Sequence, residues 1–142
     1  MPVLDQVLEK YPKQVKLVFK NYPLVNHWFA KPAAIAAFAA GKQGKFWEFH
    51  DLLIKNHKSL NKEKINEIAK LLKLNLEQFK IDQKSPDPMQ RINLDMSDAA
   101  QAGVKSTPSV FINGKLLKNL MMAGFKSSIE KELKKISAGR GQ

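Results

Sequence analysis

The sequence predicts an α/β domain, mostly helical with a small mixed sheet, and three observations carry that prediction. Apolar residues recur at helical spacing through most of the 142 residues. Val15, Leu17 and Phe19 alternate with Lys16, Val18 and Lys20, as a half-buried strand requires. Residues 109–112 form a short run, with Val110, Phe111 and Ile112 β-branched or aromatic, that ends in Asn113-Gly114. That dipeptide is the favoured hairpin turn, because both central positions need φ > 0. Leu116 and Leu117 are then the antiparallel return.

Taken in order, the first element is a helix. Val3, Leu4, Val7, Leu8 and Tyr11 share one face, with Asp5, Gln6, Glu9 and Lys10 opposite, and Pro12 stops it. No capping residue precedes Val3, so this helix reads as cut into rather than begun. The strand at residues 15–19 follows and ends at Asn21-Tyr22-Pro23-Leu24. From about Asn26 to Ala40 the chain is alanine-rich and almost wholly apolar, which predicts a buried helix packed closely by small side chains. Pro32 is expected to mark the first helical position (N1) of the main segment, and Gly41 to stand just past its end.

Phe46, Phe49, Leu52 and Leu53 make the apolar face of the next helix, with Trp47 as a partly covered flank. Asn61 is a good N-cap for a helix carrying Ile65, Ile68, Ala69, Leu71 and Leu72, and Asn75 caps a short one with Leu76 and Phe79. Ser85-Pro86-Asp87-Pro88 is a firm break, where Asp87 can cap and Pro88 can take the first helical position. Ile92, Met96, Ala99 and Ala100 then run to a helix stop at Gly103. After the hairpin, Phe125, Ile129, Leu133 and Ile136 define a last amphipathic helix. Residues 138–142 read as a frayed tail.

Composition bounds function. One domain is expected at this length, with a core of ordinary size. No apolar run is long enough to span a membrane, and the residues after Met1 do not read as an export leader. The formal net charge of +11 invites a nucleic-acid reading. The charge is nearly all lysine, spread along the chain with acidic residues between. Arg91 and Arg140 are the only arginines, whereas base readers lean on Arg. The better reading is a generally cationic, solvated surface, which by long-range attraction favours acidic partners or anionic membranes alike. The chain has no cysteine, which removes a disulfide framework, a thiolate metal site and a thiol nucleophile within it. His27, His50 and His57 lack the i,i+4 spacing of a helical metal pair, so no metal is expected. Asp95 and Asp98 are read as solvated on a polar helix face, and Met121-Met122 as core packing against the last helix.

The segments GVKSTPSVFING (103–114) and QGKFWEFHDLL (43–53), with YPLVNH (22–27), resemble the thioredoxin superfamily, and within it the DsbA-like thiol-disulfide oxidoreductases. The late loop of that family reads roughly GV-x-G-T-P-x-x-F-x-N-G. Ser106 stands where the family has Gly, and the CxxC motif is absent. The resemblance implies a thioredoxin-like fold with a helical insertion at about 26–102 in a single domain, lacking the first strand and dithiol. It implies a cis Thr107-Pro108 bond, and a polypeptide-binding loop at Ser106, Thr107 and Pro108. It places His27 as a neighbour of the active-site region. No catalytic residue and no cofactor are expected within the chain. Open ladder edges at residues 15–19 and 109–112 would favour pairing between copies as a homodimer. If a leader has been removed, the family implies a periplasmic or extracytoplasmic setting.

Overall fold

A computed structural model describes residues 2–24 and 27–139 of the chain. The expected helix start at Asn26 and the tail at 140–142 lie outside the described residues. The chain divides into two compact units, Lys20–Gly103 and Met1–Phe19 with Val104–Gln142.

The unit Lys20–Gly103 is helical. It contains α2 (Ala30–Lys42), α3 (Phe46–Lys55), α4 (Lys62–Leu71), α5 (Leu76–Lys84) and α6 (Asp87–Gln101). A single 3₁₀ turn at His57–Ser59 links α3 to α4. The central helix is α2, which packs against each of the other four. Its alanines at 33, 36, 37, 39 and 40 are buried, and their small side chains let neighbouring helices come close. Phe49 and Phe79 fill the middle, with ring centroids 5.6 Å apart. Both are fully shielded from solvent, and burial of a ring of that size contributes about 1.5–3 kcal/mol.

The starts of α4 and α5 are specified by side chains. Asn61 accepts from the Lys64 N–H at 2.7 Å and Asn75 from the Gln78 N–H at 3.0 Å, as their N-cap positions require. The C-cap residue of α2, Gln43, reaches the backbone of Asn75 twice. Its Oε1 accepts from the Asn75 N–H at 2.8 Å, and its Nε2 donates to the Asn75 C=O at 3.1 Å. One amide thus ties the end of α2 to the start of α5.

The second unit contains α1 (Pro2–Lys10), β1 (Phe111–Ile112), β2 (Lys115–Leu116) and α7 (Met122–Gly139). Val7, Tyr11, Leu117, Phe125 and Ile129 form its core, with Val3, Leu4, Val110, Ile112 and Leu133 packed on it. The hairpin is antiparallel, pairing Phe111 with Leu116 and Ile112 with Lys115. Asn113 and Gly114 have φ of 46° and 77°, the two left-handed positions of a type I′ turn. The Leu117 N–H donates to the Val110 C=O at 2.8 Å and extends the ladder by one bond.

Several expectations are corrected. Residues 15–19 form no strand. Val15 and Leu17 are half-buried while Lys16 and Val18 are exposed, so the alternation reports which side faces the core. A strand also needs a ladder partner, and the Val15 N–H instead bonds back to the Tyr11 C=O at 3.1 Å. The sheet among the described residues is therefore one antiparallel pair, not a mixed sheet.

Gly41 lies inside α2, where a Cβ would meet that of Phe46 at 3.3 Å. The left-handed turn after the helix falls to Gly44, with φ 74°. Pro32 is the third helical residue and not the first. Asp87 opens α6 without capping it, and its carboxylate pairs with Lys42 Nζ at 2.7 Å. Leu71, Ile136 and Met121 are exposed, against the core roles expected of them, whereas Met122 packs on the core.

The largest correction is Asp95, which is fully buried. One oxygen accepts from the Asn21 N–H at 2.9 Å. Lys20 Nζ and Arg91 Nε stand 3.5 and 3.3 Å from the other. Asp98, partly exposed, takes the shorter ion pair with Lys20 at 2.5 Å.

Candidate functional site

Residues 104–110 lead from the end of α6 into β1. Gly103 closes α6, and Ser106, Thr107 and Pro108 are all exposed. The Thr107–Pro108 peptide bond is cis. Ser109 Oγ donates to the Ser106 C=O at 2.6 Å, so a side chain closes a turn around the Thr107–Pro108 unit. This hydroxyl, not singled out from the sequence, is the residue that shapes the loop. Its signal was the Ser-x-x-Ser spacing, since a hydroxyl readily bonds a nearby main-chain group. Immediately after, Val110 is fixed by its bond from Leu117.

Thr107 lies between these anchors. Among the described residues neither its N–H nor its C=O has a hydrogen-bond partner within the protein. Exposed main-chain groups of this kind take their hydrogen bonds from water or from a ligand. The hairpin that carries the loop is held to α7 through Glu132. Glu132 accepts from Lys135 at 2.6 Å, from Lys115 at 2.9 Å and from the Asn113 side-chain amide at 3.4 Å. The hydrogen bonds from Lys135 and then Lys115 hold its carboxyl well below the usual range, at about 2.

Residues 106–109 carry no acid, base or nucleophile beyond their hydroxyls. Among the described residues no three His, Cys, Asp or Glu side chains cluster as a metal would need, and no helix is long and apolar enough to cross a membrane. Ser106, Thr107 and Pro108 come together in one unit, whereas His27 belongs to the other. There His27 is exposed on the turn before α2; its N–H donates to the Leu24 C=O at 3.1 Å and its C=O accepts from Ala30 at 2.9 Å. His50 lies on α3 with its ring stacked on Phe46, centroids 6.0 Å apart. A groove of about 300 Å³ in the same unit is lined by Leu52, Asn56, Lys64, Glu67, Ile68 and Leu71. Lys64 and Glu67 there satisfy each other as an ion pair, and the groove presents no convergent polar set.

Comparison with known proteins gives a consistent picture. Residues 2–131 match the family described as Thioredoxin. A probable disulfide bond formation protein D of Bacillus cereus is 35% identical over 144 residues, covering 94% of this chain and 66% of that protein. A Na(+)/H(+) antiporter NhaA 3 of Salinispora tropica is 35% identical over 115 residues, covering 80% of this chain but only 18% of the antiporter. The chain therefore spans a small part of the antiporter and about two thirds of the disulfide bond formation protein. A crystal structure of a thioredoxin-like oxidoreductase from Silicibacter pomeroyi DSS-3 superposes with a TM-score of 0.82 at 25% identity, covering 94% of this chain and 77% of that one.

Proposed function

This chain belongs to the thioredoxin superfamily as a DsbA-like member, and from that premise we propose that it binds extended polypeptide at residues 106–108 and takes no covalent part in thiol-disulfide exchange. The observation that carries the reading is the exposed, unpartnered main chain of Thr107 beside a hairpin strand. A segment laid along it gains backbone hydrogen bonds as an added strand, while side-chain contacts select it. Each bond contributes about 0.5–1.5 kcal/mol net, so a few of them hold a partner weakly and reversibly.

Exchange chemistry requires a thiolate as nucleophile. None of the 142 residues is cysteine, so any sulfur that reacts with a segment held here comes from outside them. The likeness to a disulfide bond formation protein over 94% of the chain supports polypeptide as the class of ligand.

The test is a titration of the ¹⁵N-labelled chain with reduced, carboxymethylated insulin B chain, followed by amide chemical shifts. The largest shifts are expected at residues 105–110. Shifts confined to other residues, or none at millimolar peptide, would sink the binding claim. Acceleration of insulin reduction by dithiothreitol in the presence of the chain would sink the claim that it is chemically passive.

A further inference from the structure

The surroundings of the loop have a chemistry that bears on which segments it takes. Alternation along the hairpin turns Val110, Ile112 and Leu117 toward the core of their unit. It leaves the cross-strand pair Phe111 and Leu116 outward, at 36% and 56% exposure. Lys118 follows Leu117 at a bend, and the hairpin register carried two residues past Leu116 sets it opposite Ser109, the residue after Pro108. Lys105 stands two residues before Thr107, within about 7 Å of chain. Both lysines are exposed.

The charge here is one-sided. Residues 99–129 contain no Asp or Glu and four lysines: Lys105, Lys115, Lys118 and Lys126. Lys115 is engaged by Glu132. Lys105 and Lys118, which flank the loop in sequence and in register, have no anionic partner among the described residues. An apolar pair bordered by two unpaired cations is complementary to an extended segment with a bulky apolar residue and carboxylates beside it. A second copy of this chain does not match, since each copy carries a formal charge of +11 and two copies repel.

We propose that the site selects acidic extended polypeptide, with an apolar side chain seated on Phe111 and Leu116 and flanking Asp or Glu facing Lys105 and Lys118. The proposal rests on the polypeptide-binding reading of residues 106–108 and adds the class of segment to it.

Three labelled peptides test it by fluorescence anisotropy on the intact chain. They share one Val-Thr-Phe-Thr-Val core and differ only in flanks of Glu, Ser or Lys. The Glu peptide is expected to bind about tenfold tighter than the Ser peptide at ~0.05 M salt, with the gap closing toward ~0.5 M as screening sets in. The Lys peptide is expected to be the weakest. In a Lys105→Glu, Lys118→Glu variant with an unchanged thermal melt the order should reverse. If that variant does not fold, the wild-type ranking and its salt dependence decide alone.

Equal affinity for all three peptides overturns the acidic preference while leaving polypeptide binding intact. No binding by any of them overturns the polypeptide reading itself. Binding of a single-stranded oligonucleotide, or of vesicles containing anionic lipid, at least as tight as that of the Glu peptide shows a general affinity for polyanions and also overturns the proposal.

Discussion

The carboxylate of Asp95 accepts a hydrogen bond from the backbone N–H of Asn21 at 2.9 Å, joining positions 74 residues apart in the chain. Asp95 is 0% exposed and Asn21 5%. A buried N–H with its acceptor removed loses its water without replacement, and Arg91 loses its carboxylate partner while Lys20 keeps Asp98. Lys20 and Arg91 each keep about half their side-chain exposure, which softens the loss. Asp95→Ala is therefore expected to cost about 2–3 kcal/mol. Asp95→Asn keeps an acceptor for Asn21 and should cost less. Urea unfolding at constant slope measures both, and an alanine variant as stable as the parent would contradict this account.

Gly124 sits in the first turn of α7, where a Cβ would stand 2.1 Å from the Asn119 carbonyl oxygen and 2.8 Å from its Cβ. Asn119 is itself fixed, because its Oδ1 accepts from the Met121 N–H at 2.9 Å. Alanine in a helix normally gains about 1 kcal/mol over glycine. Here the clash is with backbone and the sign reverses: Gly124→Ala should destabilise by about 2 kcal/mol or more. A rise in the thermal midpoint would show that the turn at Asn119 yields.

Gln43 and Asn75 offer a test of additivity. Gln43 bonds only the backbone of Asn75, while the Asn75 side chain caps α5. Gln43→Ala should cost about 1–2 kcal/mol and Asn75→Ala about 1 kcal/mol. Because the second change leaves the backbone groups that Gln43 uses, the double variant should equal the sum within about 0.5 kcal/mol. A larger coupling in a double-mutant cycle would mean that the cap positions the backbone Gln43 reads.

Glu132 predicts an acid response. Its carboxyl titrates at about 2 in the folded chain, below the ordinary glutamate value of about 4.3, because Lys135 and Lys115 donate to it. A depressed carboxylate contributes stability that is fully present above the unfolded value and is lost as pH falls through the folded one. The stability gap between the parent and Glu132→Gln should thus be constant above about pH 5 and shrink between about pH 4.5 and 2. Denaturant midpoints across that range check it. A gap that does not change with pH would mean the ion pairs make no difference to folding.

What could be read in advance followed from local chemistry. Asn61 and Asn75 cap because their side chains reach N–H groups three residues on, and Asn113-Gly114 turns because its backbone must. Residues 106–108 were singled out by another route, the resemblance of GVKSTPSVFING to the family's late loop. What escaped depends on distant partners. Residues 15–19 alternate like a strand, but pairing is decided elsewhere in the chain. Asp95 looks like any surface carboxylate until Asn21, Lys20 and Arg91 are brought to it. Gly41 reads as a helix stop, and only the approach of Phe46 shows its use. Lys105 and Lys118 were visible as charge, yet their relation to the loop needed the hairpin register.

The brevity of that hairpin has a dynamic consequence. Two paired residues per strand leave its amides a short path to solvent, so hydrogen–deuterium exchange at residues 110–117 should proceed through local fraying, far faster than at the buried turns of α2. A ligand that adds a strand would close that path. Recognition would then register first as slowed exchange in the ladder, before any change in the global melt.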